Sequence, residues 1–139
     1  MIKKLKVLNK LIFTGILVIG VIISGCSNNA PIIEVKVASI TPSEAKQRLD
    51  SGEGLVFLDV RTMEEYEAGH IKDSILIPVN TIEAEVEATI QDKKKPIFVY
   101  CRSGNRSAVA ADILVKLGYE NVFNLGGINN WPYEVEKKS

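Results

Sequence analysis

After residue 40, short runs of consecutive apolar residues alternate with segments that have helical spacing. Continuous apolar runs rich in β-branched and aromatic residues are typical of strands that are buried on both faces. Such runs predict strands at residues 55–60, 74–79, 96–100 and 121–125. The last run is followed by Gly126 and Gly127, and we expect a final turn at residues 129–131.

The segments before and between the runs predict four helices. Two of them begin with a capping box, in which the cap and the third helical residue satisfy each other's free N–H groups. These boxes are Thr41 with Glu44, starting a helix to Asp50, and Thr62 with Glu65, starting a helix closed by Gly69. The other two helices are predicted at 81–91, with Ile82, Val86 and Ile90 inward, and at 107–117, with Val109, Ile113 and Leu114 or Leu117 inward.

Strands that are separated by helices of about ten residues predict crossover connections, because tight turns join only antiparallel neighbours. The fold class is therefore α/β, with a mostly parallel sheet whose two faces are covered by helices. The 139 residues are enough for one domain of ordinary size.

The first 25 residues have the parts of an export signal: a lysine-rich start, an apolar run and small residues before a cysteine. The apolar run, at residues 11–23, is shorter than the ~20 residues of a permanent spanning helix. Residues 23–26 resemble a bacterial lipobox, which implies cleavage before Cys26 and attachment of diacylglycerol to its sulfur. A plain membrane anchor with an incidental cysteine is the alternative. We predict a lipoprotein signal peptide at 1–25, a lipidated tether at 26–39 and a domain at 40–135 on the extracytoplasmic side of a bacterial cell envelope.

The distribution of charge argues against nucleic acid as a partner. The chain has 17 basic and 17 acidic side chains, but four lysines lie in the first 25 residues, where there is no acid. The remaining 13 basic and 17 acidic groups give the rest of the chain a net charge of about −4. An acidic body repels phosphate backbones except at a local basic patch.

Cys101 stands out once the N-terminus is interpreted as a lipid signal. Of the two cysteines, lipidation would occupy Cys26, and an unpaired cysteine in an exported protein is a candidate reactive thiol. Cys101 follows a predicted strand and precedes a predicted helix, at the sheet edge where ligands collect. Free N–H groups, the helix dipole and the charges of Arg102 and Arg106 all favour a nucleophilic thiolate there. Gly104 allows the turn that places successive amides around an anion.

Three linked motifs occur in the chain: CRSGNR at 101–106, FLDVRTMEEYEAGHI at 57–71 and NLGGINNW at 124–131. Together they resemble those of a single-domain rhodanese, a thiosulfate sulfurtransferase. The match covers essentially all of residues 40–133, in the family's order and spacing, and implies a rhodanese domain with a five-stranded parallel sheet. One departure is Asp73-Ser74 in place of the usual Gly-Ala, which we expect to alter only a surface turn.

The resemblance implies that Cys101 attacks the outer sulfur of a donor such as thiosulfate, releases sulfite and becomes a persulfide. A thiol, or cyanide in an assay, then accepts the sulfur. The substrate-binding residues that it implies are Arg102, Ser103, Gly104, Asn105 and Arg106. We expect no cofactor, and we expect the domain to act as a monomer.

The remaining polar residues are interpreted as supporting the structure. Asp59 and Arg61 are expected to pair with each other or with the loop, and a single histidine with scattered carboxylates predicts no metal site. His70 is expected to be a hydrogen-bonded structural residue, and Trp131 is expected to lie in the core. The remaining three residues are expected to form a solvated helix face: Glu64, Glu65 and Glu67.

Three other functions are weighed against sulfur transfer. Cysteine phosphatases of related fold place five residues between cysteine and arginine, whereas four separate Cys101 from Arg106. A non-catalytic binding module would not need the cysteine and both arginines. A thiol-redox or sulfur-carrier partner at the cell envelope is compatible with the same persulfide chemistry.

Overall fold

The computed structural model describes residues 37–138. The predicted signal peptide, Cys26 and all but the last three residues of the predicted tether lie outside the described residues. Across residues 37–138, no helix is both long enough and apolar enough to cross a membrane.

Five parallel strands form one sheet, and their bounds largely follow the apolar runs. The strands are β1 (Ala38–Ser39), β2 (Val56–Asp59), β3 (Ile75–Leu76), β4 (Ile97–Cys101) and β5 (Val122–Gly127). Their order across the sheet is β1-β5-β4-β2-β3, and every neighbouring pair is parallel. Every residue of β2 and β4 is buried, as continuous apolar runs predict.

The helices connect the strands, and two of them begin with the predicted caps. They are α1 (Pro42–Asp50), α2 (Met63–Ala68), α3 (Ile82–Thr89) and α4 (Asn105–Lys116), followed by a 3-10 turn at Ile128–Asn130. Both capping boxes, at Thr41 and at Thr62, are present with their reciprocal hydrogen bonds.

Side chains of β2 and β4 alternate between the faces of the sheet and enter two cores. One core packs Leu58, Val99 and Cys101 against α3 and α4. The other packs Phe57 and Tyr100 on the face that carries α1. The predicted α/β class, with helices on both faces of a five-stranded parallel sheet, is confirmed.

Two details of the predicted pattern are corrected. Residues 38 and 39, predicted to belong to the tether, form β1 and pair with β5 at the edge of the sheet. A two-residue strand is too short to produce an apolar run.

The second correction concerns the buried face of α4. Val109 is 54% exposed, whereas Ala110 and Ala111 are buried. Their small side chains let α4 lie close to the sheet, so the buried face of α4 is centred on them.

The Asp73-Ser74 departure affects more than the surface. Asp73 has a φ of 58°, in the left-handed region that favours glycine, and its short polar side chain makes it one of the few residues tolerated there. Ser74, in contrast, is buried, and its hydroxyl lies 3.0 Å from the hydroxyl of Tyr100. The second residue of the pair therefore belongs to the interior, and its expected place at the surface is wrong.

We predict opposite responses to truncation at two positions of α4. Leu114→Ala should lower the free energy of unfolding by about 2–5 kcal/mol, because a fully buried side chain is replaced by a cavity. Val109→Ala should change it by no more than about 0.5 kcal/mol, because most of that side chain is in solvent. Urea unfolding followed by circular dichroism measures both. Equal losses at the two positions would contradict the placement of α4.

Candidate active site

Cys101 is the last residue of β4, and the chain turns directly after it into α4. Gly104 makes the turn with a φ of 111°, in the left-handed region where a Cβ is strained. As a result, the backbone N–H of Gly104 donates to the Cys101 sulfur over 3.0 Å. Residues 101–106 therefore form one tight loop that starts at the sulfur and ends in the first turn of a helix.

The end of β5 holds this loop in place. Cys101 pairs with Gly127 across the sheet, and a Cβ at Gly127 would lie 2.5 Å from the carbonyl oxygen of Arg102. The same oxygen accepts a hydrogen bond from the N–H of Asn129, at 3.3 Å. Such a close approach of two backbones requires glycine at position 127.

Ser107 brings a second polar group to the sulfur from the first turn of α4. Its hydroxyl oxygen is 3.7 Å from the Cys101 sulfur, and the residue is fully buried. The same oxygen is 2.8 Å from the side-chain oxygen of Asn124 and 2.9 Å from the carbonyl oxygen of Gly104. A hydroxyl has one proton to donate. When Cys101 is a thiol, the Ser107 hydroxyl can therefore donate to one of these oxygens. When Cys101 is a thiolate, the hydroxyl can donate to the sulfur instead.

Burial and hydrogen bonding act in opposite directions on the pKa of Cys101. The residue is 1% exposed, and burial alone would raise the pKa of its thiol by disfavouring the charged form. Hydrogen bonds from the backbone of Ser107, Gly104 and Ser103, and from the Ser107 hydroxyl, lower the pKa. The hydrogen bonds prevail, and the pKa of Cys101 lies below its ordinary value. The thiolate is thus favoured in spite of its burial.

Arg106, at the end of the loop, pairs with Glu65 of α2. Its two terminal nitrogens donate to the two carboxylate oxygens over 2.7 and 2.8 Å. This contact, opposed by burial, lowers the pKa of Glu65 to about 2. Glu65 was expected on a solvated helix face, and that expectation is wrong because its carboxylate bridges α2 and α4 across the site.

Asp59 and Arg61 pair with each other beneath this edge of the sheet. Both side chains are almost completely buried, and their closest contact is 2.6 Å. Arg61 also donates to the carbonyl oxygen of Gly69, at 2.7 Å, at the end of α2. The pair therefore ties the end of β2 to α2, and it makes no hydrogen bond with the 102–106 loop.

The other loop residues face solvent. Arg102, Ser103 and Asn105 are exposed. Arg48, Arg61 and Arg106 each pair with a carboxylate, so within residues 37–138 Arg102 is the arginine without an ion-pair partner. Its guanidinium is available at the surface beside the loop.

His70 and Trp131 occupy the structural positions that were expected. His70 stacks on Tyr66 and its Nδ1 lies 2.8 Å from the carbonyl oxygen of that residue. Trp131 packs in the core on the α1 face of the sheet. In the part of the chain that the structure describes, no three histidine, cysteine or acidic side chains are grouped so that they could hold a metal ion.

Sequence reasoning missed four residues that shape the site. Asn124, Gly127 and Glu65 lay inside the quoted motifs, but their spacing along the chain gave no sign that they would meet the loop. Ser107 was placed only at the start of a helix. A general signal was present, because Cα–Cβ bonds tilt toward the start of a helix and Ser107 lies in the first turn of α4.

We predict that Cys101 is alkylated below the pH range of an ordinary thiol. Because hydrogen bonds lower its pKa, the midpoint of the iodoacetamide rate should lie below about 8.5, the unperturbed thiol pKa. Ser107→Ala removes a donor to the thiolate, so it should raise the midpoint and slow alkylation at pH 7. Mass spectrometry of the Cys101 peptide gives the rates. Ser51→Ala, at an exposed hydroxyl after α1, is the control, and a midpoint unmoved by Ser107→Ala would contradict this role.

Comparisons with known proteins agree on one family. A family model described as "Rhodanese-like domain" matches residues 41–134. YrkF of Bacillus subtilis, whose name describes a sulfur carrier protein, is 37% identical over 101 residues, covering 72% of this chain and 54% of YrkF. The match thus spans about half the length of that relative. PspE of Escherichia coli, named thiosulfate sulfurtransferase, is 34% identical over 53% of this chain and 71% of its own.

The solved structures agree with the sequence comparison. A crystal structure of a rhodanese-like domain protein from Staphylococcus aureus superposes with a TM-score of 0.63 at 32% identity, covering 74% of this chain and 100% of the other. The family model spans both the loop around Cys101 and the Gly127 strand end that packs on it. This protein therefore belongs to the rhodanese-like domain family, which has sulfurtransferases among its members.

Proposed function

We propose that the domain transfers a sulfane sulfur from thiosulfate or a similar donor to a thiophilic acceptor, through a persulfide on Cys101. The observation that supports this most directly is the hydrogen bonding of the buried Cys101 sulfur, which lowers the pKa of the thiol. A stabilised thiolate is the form that attacks a sulfur donor. The name of the relative PspE, thiosulfate sulfurtransferase, supports the same donor.

The first half-reaction moves one sulfur atom and leaves the charge balanced. The Cys101 thiolate attacks the outer sulfur of thiosulfate, a new S–S bond forms, and the old S–S bond breaks with its electron pair on sulfite. In the second half-reaction a thiolate or cyanide attacks the outer sulfur of the persulfide, and the Cys101 thiolate leaves. Covalent transfer of this kind predicts ping-pong kinetics.

The loop residues receive distinct roles in this proposal. The N–H of Gly104 and the hydroxyl of Ser107 hold the charge on the cysteine sulfur. The backbone N–H groups of residues 102–106 surround the outer sulfur of the persulfide. Arg102, exposed and unpaired in the described chain, attracts the anionic donor, while Arg106, through its bond to Glu65, holds the end of the loop at the start of α4.

A sulfur-carrier function is the second candidate, supported by the name of YrkF. A carrier would form the same persulfide on Cys101 and deliver it to one protein partner. The two functions differ in turnover, because only an enzyme with an open acceptor site regenerates its thiolate repeatedly with small thiols.

The site disfavours phosphate ester hydrolysis for a physical reason. Four residues separate Cys101 from Arg106, which gives a short ring of amides. Both terminal nitrogens of Arg106 are already bound to Glu65. A phosphate group would have to displace that carboxylate to use the arginine.

We propose separately that the mature protein is a lipoprotein anchored through Cys26, with the domain on the extracytoplasmic side of a bacterial cell envelope. The support is the sequence of residues 1–26, where a lysine-rich start and an apolar run precede Ile-Ser-Gly-Cys. The segment before β1 would then act as a tether between the membrane and the domain.

Thiosulfate treatment of the purified protein should add about 32 Da, one sulfur atom, to the peptide that contains Cys101. Cyanide should remove this mass and release thiocyanate. Cys101→Ser should abolish both events while preserving the fold, because the nucleophile is lost and little volume changes. Mass spectrometry and a thiocyanate assay provide the measurements. Substantial thiocyanate production by Cys101→Ser, or hydrolysis of an aryl phosphate as fast as thiosulfate consumption, would contradict the proposed function.

Labelled palmitate should be incorporated into the native protein in a bacterial host, and Cys26→Ala should stay unprocessed and unlabelled. Loss of the sulfur nucleophile at position 26 removes the site for diacylglycerol. The Cys101→Ser variant is the matched control and should be labelled normally. Release of the unaltered protein into the medium without lipid would rule out the anchor.

A further inference from the structure

The three arginines around the loop differ in their ion-pair partners. Arg61 is buried against Asp59, and Arg106 is bound at both terminal nitrogens by Glu65. Arg102 has no carboxylate partner within residues 37–138. One cation of the three is therefore left to attract a donor, although the sequence around the loop suggests a doubly cationic site.

Glu65 is held in its position by its own helix as well as by Arg106. It is the third residue of α2, and its carboxylate accepts a hydrogen bond from the N–H of Thr62 at 3.1 Å, while its own N–H donates to the Thr62 hydroxyl at 3.3 Å. The carboxylate thus serves as both helix cap and arginine partner. Its side chain is 25% exposed and that of Arg106 is 34% exposed, so the pair lies at the rim of the site and not beneath it.

We propose that Glu65 sets the donor preference of the site by neutralising Arg106, so that singly charged sulfane donors are favoured over dianionic ones. This inference rests on the proposed sulfur transfer and adds a positioning residue and a substrate class to it. With Arg106 neutralised, the positive potential at the loop comes from the exposed Arg102 and from oriented N–H groups. When one nearby positive charge is masked, a dianion loses about twice as much electrostatic attraction as a monoanion does.

Two donors that react through the same atoms but carry different charges allow the effect of charge on sulfur transfer to be measured separately. Thiosulfate carries two negative charges, and methanethiosulfonate carries one because a methyl group replaces an oxygen. In each case the Cys101 thiolate attacks the outer sulfur and the S–S bond breaks. The electron pair leaves with sulfite from thiosulfate and with methanesulfinate from methanethiosulfonate, and both reactions give the same persulfide.

The test compares kcat/KM for the two donors, with cyanide as acceptor, in the full-length protein and in Glu65→Gln. Glutamine keeps the capping-box pattern and the size of the side chain but removes the charge. The ratio of thiosulfate to methanethiosulfonate kcat/KM should rise about fivefold in Glu65→Gln, through a lower KM for thiosulfate. Added salt should reduce this gain, because it screens the released charge of Arg106.

Glu64→Gln is the matched control. It removes the same charge from the neighbouring residue of α2, which is exposed and has no ion-pair partner within residues 37–138, and it should leave the donor ratio unchanged. In the unaltered protein, kcat/KM for thiosulfate should fall less steeply with added salt than it does in Glu65→Gln. A donor ratio that stays constant or falls in Glu65→Gln, with sulfur transfer intact, would overturn this inference alone. Failure of both donors to form a persulfide on Cys101 would overturn the proposed function and the inference together.

Discussion

The close contact between the end of β5 and the loop after β4 is the constraint on which the site depends. Cys101 and Gly127 are neighbours in the sheet, and the backbone at Arg102 lies so near Gly127 that no side chain fits between them. The chain must therefore turn away at once, and it does so through the left-handed conformation of Gly104. That turn aims the N–H of Gly104 at the sulfur and starts α4 where Ser107 reaches it. The chemistry of the thiol thus follows from a backbone contact.

Both ends of α2 are bound to residues at the same edge of the sheet. At one end Arg61 links Asp59 to the carbonyl oxygen of Gly69, and at the other Glu65 binds Arg106. A buried ion pair such as Asp59–Arg61 contributes little net stability, because desolvation offsets much of the attraction. Breaking it would nevertheless leave a charge buried without a partner. The pair therefore favours one orientation of α2, and that orientation brings Glu65 within reach of the loop.

Sequence patterns predicted the elements well and the contacts between them poorly. The apolar runs, the capping boxes at Thr41 and Thr62 and the position of Cys101 at a strand end are local features, and they could be read from spacing. The partnership of Glu65 with Arg106 joins residues 41 positions apart, which no local pattern encodes. The exposure of Val109 follows from the packing of neighbouring alanines, because small residues allow a close approach that a larger apolar residue prevents. Tertiary packing decided each case where the prediction was wrong.

The loop has to stabilise charge at two places during the proposed reaction. In the thiolate the charge lies on the cysteine sulfur, where Gly104 and Ser107 contact it. In the persulfide it lies on the outer sulfur, about 2 Å farther along the S–S bond. Ser107 suits this change, because its proton has oxygen acceptors on Asn124 and Gly104 once the inner sulfur loses its charge. A rotating hydroxyl and a fixed ring of amides can therefore hold the charge in turn without movement of the backbone.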